Sequence, residues 1–247
     1  MTLLLIAALF LPLYPLSVPL NALLARVRSP VARFVLLLIW PQVGVAVLAQ
    51  AGTAVPSWLV GWALFTAALY ALRLLTCRDL GRAAGYLATS AIALTWGLAA
   101  SASGIEQVAL FALWMSLPAA LTTLLDGMLV RRFGAAYAGL CPGLGSALPR
   151  YAGLLVVTVL AAVATPPFPG FFALLGLMHG LGSSAAVVVL LIWLVWAWAA
   201  VRLLQGFVAG TCREEGIEDL QPGSVLAWVG VLAAFVGAGF FFTGGGL

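Results

Sequence analysis

Five side chains in this sequence could together move a proton or bind an ion: Asp126, Glu106, His179, Thr122 and Thr123. The first three can change charge, and threonine hydroxyls can hold water beside them. Ionisable residues within apolar helices are costly and commonly mark ion or proton pathways. These five residues are therefore a candidate proton or ion path.

Each charged candidate also has a structural interpretation. Asp126 lies near the end of a long apolar run, where Arg131 or Arg132 could reach back and form an ion pair with it. Glu106 lies at the outer start of that run and His179 at the outer end of another, where water or lipid headgroups would solvate them. The sequence favours the structural interpretation for all three and leaves the path as the alternative.

The sequence offers few residues that could bind a metal or cofactor or act as catalysts. The chain has one histidine, three cysteines and four methionines, with no Cys-x-x-Cys pair and no glycine-rich phosphate loop after a strand. A haem or metal site would need more ligands than these. We expect no cofactor, no metal and no catalytic site of its own, so any enzymatic role would be that of a non-catalytic subunit in an oxidoreductase or translocase complex.

The composition indicates where these residues must lie. Hydrophobic residues make up 64% of the 247 residues, charged residues only 7%, and the mean hydropathy is +1.18. Such a chain has too little polar surface to cover a water-soluble domain of this size. It predicts an all-α, polytopic transmembrane helix bundle in contact with lipid, in which the net charge of +4 reports topology and not nucleic-acid binding.

Eight apolar runs predict about eight spans in a single transmembrane domain. A run of about 20 apolar residues is enough to cross a bilayer. No charged leader or small-residue cleavage site marks the first run as a signal peptide, so we expect it to remain as a span. The predicted spans are 3–24, 34–51, 58–76, 83–101, 107–130, 149–180, 183–209 and 225–242.

The sixth run is interrupted by Pro166, Pro167, Pro169 and Gly170. It is too long for one straight span and too short for two. Because prolines cannot donate backbone hydrogen bonds, carbonyl groups around them lose their helical partners. Hydrocarbon offers no replacement, so we predict one discontinuous helix, broken around residues 166–170 inside the bundle.

The basic residues apart from His179 are all arginines, and the sequence contains no lysine. With eight spans they fall on one side of the membrane, which the positive-inside rule makes cytoplasmic, with both termini outside the cell's inner (plasma) membrane. Cys77, Cys141 and Cys212 fall on the same side, where thiols stay reduced, and we expect no disulfide. The arginines are Arg26, Arg28, Arg33, Arg73, Arg78, Arg82, Arg131, Arg132, Arg150, Arg202 and Arg213.

Four ordered pieces of the chain are similar to a known family. RDLGRAAGYLATS (78–90) resembles an acidic loop leading into an Ala-Tyr-Ser-rich helix, and LLDGMLVRR (124–132) resembles the end of the next helix. Segment 148–171, from LPR to PGF, resembles a discontinuous helix, and DLQP (219–222) resembles a short acidic segment before the last helix. From about residue 71 onward, the chain resembles the second half of the antiporter-like membrane subunits of respiratory complex I, membrane-bound hydrogenases and Mrp antiporters.

The resemblance implies a shared scaffold with altered chemistry. Members of that family carry two inverted five-helix repeats, and this sequence has room for the second only, preceded by helices within 1–70 whose origin stays open. The family's proton path uses lysines, a histidine and a glutamate. Here Met115 and Ala119 stand near the histidine and lysine positions and FAL (172–174) near the glutamate, so a lysine-based proton wire is excluded.

We therefore expect a membrane subunit of a larger energy-converting complex, resembling a shortened antiporter-like subunit and acting mainly as a scaffold. Its partners would be other membrane subunits and a soluble cytoplasmic subunit docked on the mixed-charge loop 213–219. The first alternative is a proton-delivering coupling subunit of a quinone-linked, hydrogenase-like or inorganic-carbon-uptake complex. The second is an independent carrier of an ion or small solute.

Overall fold

The computed structural model describes residues 2–52, 54–101, 103–140, 142–210 and 218–243. Within these ranges the chain forms helices and one isolated antiparallel bridge, between Asp79 and Tyr137. The helices are α1 (Thr2–Phe10), α2 (Ser17–Arg26), α3 (Pro30–Ala51), α4 (Ser57–Thr76), α5 (Leu80–Ala93), α6 (Thr95–Ala100), α7 (Ile105–Phe133), α8 (Leu144–Ala147), α9 (Pro149–Ala162), α10 (Pro169–Gly180), α11 (Ser183–Val208) and α12 (Pro222–Thr243).

The eight predicted spans correspond, in the described part of the chain, to six stretches long and apolar enough to cross a membrane and two pairs of shorter helices. The six stretches are α3, α4, α5 with α6, α7, α11 and α12. The two pairs are α1 with α2 and α9 with α10. The protein is thus an integral membrane protein, and the predicted all-α bundle is confirmed.

The stretch predicted as the first span, 3–24, is interrupted, which makes it a second discontinuous crossing where the sequence predicted only one. α1 ends at Phe10, α2 begins at Ser17, and the linker between them contains Pro12 and Pro15. Neither proline can donate a backbone hydrogen bond, so a regular helix cannot pass through this stretch. Pro19, by contrast, lies in the first turn of α2, where a helix does not need the missing N–H.

The interruption in the sixth run is confirmed, with a small shift in its position. Its residues Val163, Ala164 and Phe168 are buried, but Pro166 and Pro167 are exposed, so the expectation that the break lies inside the bundle is wrong for these two prolines. The linker 163–168 separates α9 from α10 and contains Pro166 and Pro167, and Ala164 in it has a positive φ of 55°. Pro169 and Gly170 were expected within the break but are the first residues of α10. Proline is favoured there because the first N–H groups of a helix have no helical partner.

α7 lies in the middle of the bundle and contacts α3, α5, α6, α9 and α10. One hydrophobic core lies on the side of α4, α5, α9 and α11, and another on the side of α1, α2 and α3. Gly127 of α7 allows the start of α3 to approach closely, because a Cβ at this position would lie 2.5 Å from the Pro30 side chain. α12, at the periphery, exposes most of its side chains.

Polar contacts join the connections at one end of the bundle, which we call the arginine-rich end. The Asp219 carboxylate accepts a hydrogen bond at 2.7 Å from the backbone N–H of Arg150, at the start of α9. Arg202 donates to a carbonyl near the end of α4 at 2.8 Å, and Arg132 donates to a carbonyl just before α12 at 2.7 Å. Arginines of α7, α9 and α11 therefore lie at this end of the bundle, while Arg213 lies outside the described residues.

Candidate functional site

Asp126 lies in a buried ion pair. Its side chain is 3% exposed and accepts a hydrogen bond at 2.9 Å from the guanidinium of Arg33, in the first turn of α3. Arg33 Nε donates to the Val27 carbonyl at 2.6 Å, which orients the guanidinium. Of the partners expected from sequence, Arg131 instead bonds to a carbonyl of its own helix and Arg132 to the segment before α12. A buried charge needs such a partner, since an uncompensated one costs several kcal/mol.

Gly81, at the start of α5, closes over this ion pair. A Cβ at Gly81 would lie 2.7 Å from Asp126 Oδ2 and 2.8 Å from the Arg33 guanidinium. These distances are shorter than contacts between non-bonded atoms allow, so any side chain here would displace one of the charged groups. Three helices thus build the site: α3 supplies the cation, α7 the carboxylate and α5 the cover.

The ion pair borders a cavity of about 300 Å³ at the arginine-rich end, which we call the inner cavity. A polar space of this size is large enough to hold several water molecules. Asn21, on another wall, donates to the Thr89 hydroxyl at 3.0 Å. The polar lining residues are Asn21, Arg33, Asp79, Arg82, Tyr86 and Asp126.

Thr122 and Thr123 do not line the inner cavity. Both are buried, and each hydroxyl donates to a carbonyl of α7 itself, Thr122 to Pro118 at 2.9 Å and Thr123 to Ala120 at 2.7 Å. The hydroxyl protons are therefore already used within the helix. The structure does not join these two residues to Asp126 in a chain of hydrogen bonds.

Glu106 and His179 lie at the opposite end of the bundle. Both are exposed, Glu106 in the first turn of α7 and His179 in the last turn of α10. Twenty residues of helix separate Glu106 from Asp126, which is about 30 Å at 1.5 Å per residue. The three titratable candidates thus form two separate groups.

The middle of the bundle is apolar at the positions that the family resemblance singled out. Met115 and Ala119 of α7 are 2% and 1% exposed, and Leu174 of α10 is fully buried. Met115 Cε lies 3.7 Å from where a Cβ on Gly170 would lie, so the methionine packs against the start of α10. These three positions are therefore occupied by apolar side chains in close hydrophobic packing.

Most buried polar groups of the described residues have partners. The Tyr151 hydroxyl donates to the Leu125 carbonyl at 2.9 Å, one residue before the paired carboxylate. Among the described residues, the buried hydroxyls without a partner are those of Thr95 and Thr158. These two lie on different helices, α6 and α9.

Arg33 is the functional residue that the sequence reasoning missed. The predicted span 34–51 begins one residue after it, whereas α3 begins at Pro30 and includes it. The local sequence did contain a usable indication: Ser29 followed by Pro30 is a typical helix start, and the Ser29 hydroxyl accepts from the Ala32 N–H at 3.3 Å. Reading that start would have placed Arg33 inside the bundle.

Cys77 is a free thiol just beyond the end of α4. Its Sγ donates to the Asp79 carbonyl at 3.4 Å, and burial raises the pKa of the thiol. A raised pKa means less thiolate at neutral pH and therefore lower reactivity. Cys141 and Cys212 lie outside the described residues.

Comparisons of the structure place the fold in a known class. No family model and no curated protein sequence matches the chain. A chain of respiratory complex I from Thermus thermophilus, solved with bound NADH, is similar with a TM-score of 0.78 and 23% identity, over 97% of this chain and 54% of that one. A chain of the Mrp complex from Dietzia sp. DQ12-45-1b is similar with a TM-score of 0.81 and 16% identity, over 97% and 55%.

A third similar chain belongs to the membrane-bound sulfane sulfur reductase, an archaeal respiratory membrane complex, with a TM-score of 0.69 and 16% identity over 79% of this chain and 36% of that one. This protein thus spans about half the length of the first two chains. The predicted resemblance to antiporter-like membrane subunits is confirmed at the level of the fold. The coverage of 97% extends it into the first 70 residues, whose origin the sequence left open.

Proposed function

We propose that this chain is a membrane subunit of a larger energy-converting complex and acts mainly as a scaffold without conducting protons through its own interior. The fold supports a membrane subunit, since all three similar chains come from membrane complexes. The scaffold role is supported by one observation above all. The buried carboxylate of Asp126 is paired with Arg33, and no ionisable residue lies between it and Glu106 along α7.

Proton conduction needs groups that bind and release protons across the full membrane depth. The sequence provides no lysine, and the central positions Met115 and Ala119 are packed and apolar. Water in the inner cavity could reach the ion pair from the arginine-rich end. The roughly 30 Å from Asp126 to Glu106 along α7 is then without a titratable relay.

The direct test is proton flux in reconstituted vesicles. We expect wild-type protein, reconstituted alone with an internal pH-sensitive dye, to leak protons no faster than protein-free vesicles under an imposed pH gradient. Asp126→Asn should behave identically, with Glu106→Gln as the matched control at the other end of the bundle. Flux in wild type that is abolished in Asp126→Asn but not in Glu106→Gln would overturn the scaffold proposal.

The inner cavity favours a second candidate, a coupling subunit that delivers protons to a partner. In that case the proton would reach Asp126 through the cavity and leave sideways into a neighbouring subunit. Flux assays on the isolated chain would miss this role, whereas assays on the intact complex would detect it. Asp126→Asn should then reduce the proton-to-electron ratio of the whole complex while leaving its assembly intact.

An independent carrier would differ from both in needing no partner. Native mass spectrometry of the protein extracted from its own membrane distinguishes these cases. We expect the chain to be recovered with other membrane subunits, and with a soluble subunit if loop 213–219 docks one. Recovery as an isolated monomer with transport activity would support the carrier.

We further propose that the arginine-rich end faces the cytoplasm and both termini face outward. The gathering of Arg132, Arg150 and Arg202 at one end supports this orientation under the positive-inside rule. Labelling of single cysteines introduced at Arg28 and at Glu106 by a membrane-impermeant maleimide tests it. From outside intact cells, the residue 106 cysteine should react and the residue 28 cysteine should not.

A further inference from the structure

A second cavity at the arginine-rich end has no role in the proposed function. It has a volume of about 350 Å³, and we call it the outer cavity. It adjoins the inner cavity, and both are lined by Asp79, Arg82 and Tyr86. Its polar lining comes from Arg73, Thr76, Arg78, Asp79, Arg82, Tyr86 and Tyr137.

The outer cavity carries an excess of positive charge. Arg73, Arg78 and Arg82 are all exposed, and within the described part of the chain none of their guanidinium groups pairs with a carboxylate. Arg73 stacks over the Tyr70 ring, 5.1 Å from its centroid. Asp79 is the lining carboxylate, and it already accepts from the backbone N–H of Arg82 at 2.7 Å as the cap of α5. Three cations therefore face one partly satisfied anion.

We propose that the outer cavity binds the phosphate group of an anionic phospholipid. Guanidinium groups match the oxygens of a phosphate with paired N–H donors, which an ammonium group cannot do in the same geometry. The hydroxyls of Tyr86 and Tyr137 can donate to the same group, whereas the Thr76 hydroxyl already donates to the Arg73 carbonyl at 3.0 Å. Basic pockets between transmembrane helices at the membrane surface are suited to lipid headgroups.

The helix leading to the cavity favours a lipid over a free phosphate. Trp62, Phe65 and Leu72 of α4 are 45%, 52% and 56% exposed, and with the half-buried Leu69 they repeat every three or four residues. Such spacing puts them on one face of the helix, and the next residue of that series is Thr76 in the cavity wall. A phosphate held in the cavity would thus have an apolar surface below it for its acyl chains.

The test is lipid titration of the purified full-length protein in detergent, read by native mass spectrometry. Phosphatidylglycerol is the probe, phosphatidylcholine the zwitterionic control lipid and inorganic phosphate the free anion. The triple variant Arg73→Gln, Arg78→Gln, Arg82→Gln removes the cavity charge. The matched control is Arg26→Gln, Arg28→Gln, Arg131→Gln, which removes equal charge from exposed positions at the same end, outside both cavities.

We expect wild type and the control variant to retain one tightly bound phosphatidylglycerol. The cavity variant should bind this lipid at least about 100-fold more weakly, because each charge-assisted hydrogen bond contributes about tenfold or more to the affinity. Equal weakening in both variants would assign the effect to general surface charge and overturn the site. So would equal binding of phosphatidylcholine, or displacement of the lipid by millimolar inorganic phosphate.

If the triple variant does not fold, Arg78→Gln keeps the proposal testable, since Arg78 lies in the loop between α4 and α5. It should weaken phosphatidylglycerol binding about tenfold, with Arg28→Gln unchanged. Unaltered binding in Arg78→Gln would overturn the assignment. The result does not depend on the scaffold proposal, because it measures lipid binding and not proton flux.

Discussion

Both interrupted crossings need hydrogen-bond partners for backbone groups that have none within a helix, and different residues supply these partners in the two cases. Each linker leaves backbone groups without helical partners inside a membrane, where no water is available to replace them. In the first, between α1 and α2, indole N–H groups of Trp40, Trp62 and Trp96 donate to carbonyls of residues 9, 14 and 11. The backbone N–H of Tyr14 donates to the Thr66 hydroxyl at 3.0 Å. These donors and this acceptor come from α3, α4 and α6.

Both linkers also bond within their own chain. In the first, the N–H groups of Leu13 and Ser17 donate to the carbonyls of residues 8 and 13, and the second linker, between α9 and α10, makes more bonds of this kind. The Thr165 hydroxyl and its backbone N–H both bond to the Leu160 carbonyl, at 2.9 and 3.2 Å. Phe168 N–H donates to the Thr165 carbonyl at 3.1 Å. Trp193 of α11 supplies an indole N–H to the Val163 carbonyl at 2.8 Å. The first break should therefore be more sensitive than the second to substitutions on neighbouring helices.

The largest effect should come from Trp96→Ala. Trp96 is fully buried, and truncation removes both its packing and its bond to the first linker at 2.9 Å. We expect a loss of about 3–5 kcal/mol in the free energy of unfolding, measured by denaturant titration in mixed micelles and followed by circular dichroism. Trp198→Ala is the control, since Trp198 is 63% exposed and should cost under about 1 kcal/mol. Equal losses would mean that the first break does not depend on Trp96.

The substitutions Trp96→Phe and Trp193→Phe test the indole hydrogen bonds separately from the packing of the aromatic ring. Each leaves one buried carbonyl unpaired while keeping an aromatic ring, so each should cost about 1–3 kcal/mol. A cost near zero for Trp193→Phe would show that the second linker is satisfied entirely by its own chain, which would sharpen the contrast between the breaks. A cost near zero for Trp96→Phe would remove the contrast.

The hydrogen-bond partners of the two linkers come from different parts of the chain, and this explains which of the two breaks could be predicted from the sequence. The second break was predicted because Pro166, Pro167 and Pro169 interrupt a run too long for one span. The first break was missed because Pro12, Pro15 and Pro19 are spaced three and four residues apart, which also fits a kinked helix. Its partners lie 31 to 85 residues away in sequence, and no local pattern reveals them.

The candidate site likewise contains one residue that the sequence alone reveals and others that only the packing of the helices reveals. Asp126 could be found because a lone carboxylate in an apolar run has few interpretations. Arg33 could not be paired with it, because 93 residues separate them and Arg131 and Arg132 are nearer in sequence. The role of Gly81 depends on the approach of α5 to both charged groups, which only the packing of three helices defines.

Two threonine-to-valine substitutions, which keep the shape of the side chain, compare the hydroxyl hydrogen bonds at the two breaks. Thr66→Val removes the acceptor for the Tyr14 N–H at a fully buried position and should cost about 1–2 kcal/mol. Thr165→Val should cost under about 1 kcal/mol, because the Leu160 carbonyl keeps its bond from the backbone N–H of residue 165. Unfolding of both variants in mixed micelles tests the difference, and a larger loss at Thr165 would reverse the proposed contrast.

Small effects should come from glycine substitutions facing the two linkers, the smallest of them at Gly170. A Cβ at Gly44 of α3 would lie 2.7 Å from Leu11 Cγ and 3.0 Å from the Leu11 backbone nitrogen, whereas at Gly170 the nearest atom is Ala164 Cβ at 3.2 Å. Alanine gains about 1 kcal/mol of helix propensity in a helix interior, and overpacking costs about 1–3 kcal/mol. We expect Gly44→Ala to lose about 1 kcal/mol and Gly170→Ala to stay within about 0.5 kcal/mol of wild type. The clash at Gly44 involves the Leu11 backbone as well as side chains, so it is harder to relieve than the one at Gly170. An unchanged Gly44→Ala would contradict the close approach of α3 to the first linker.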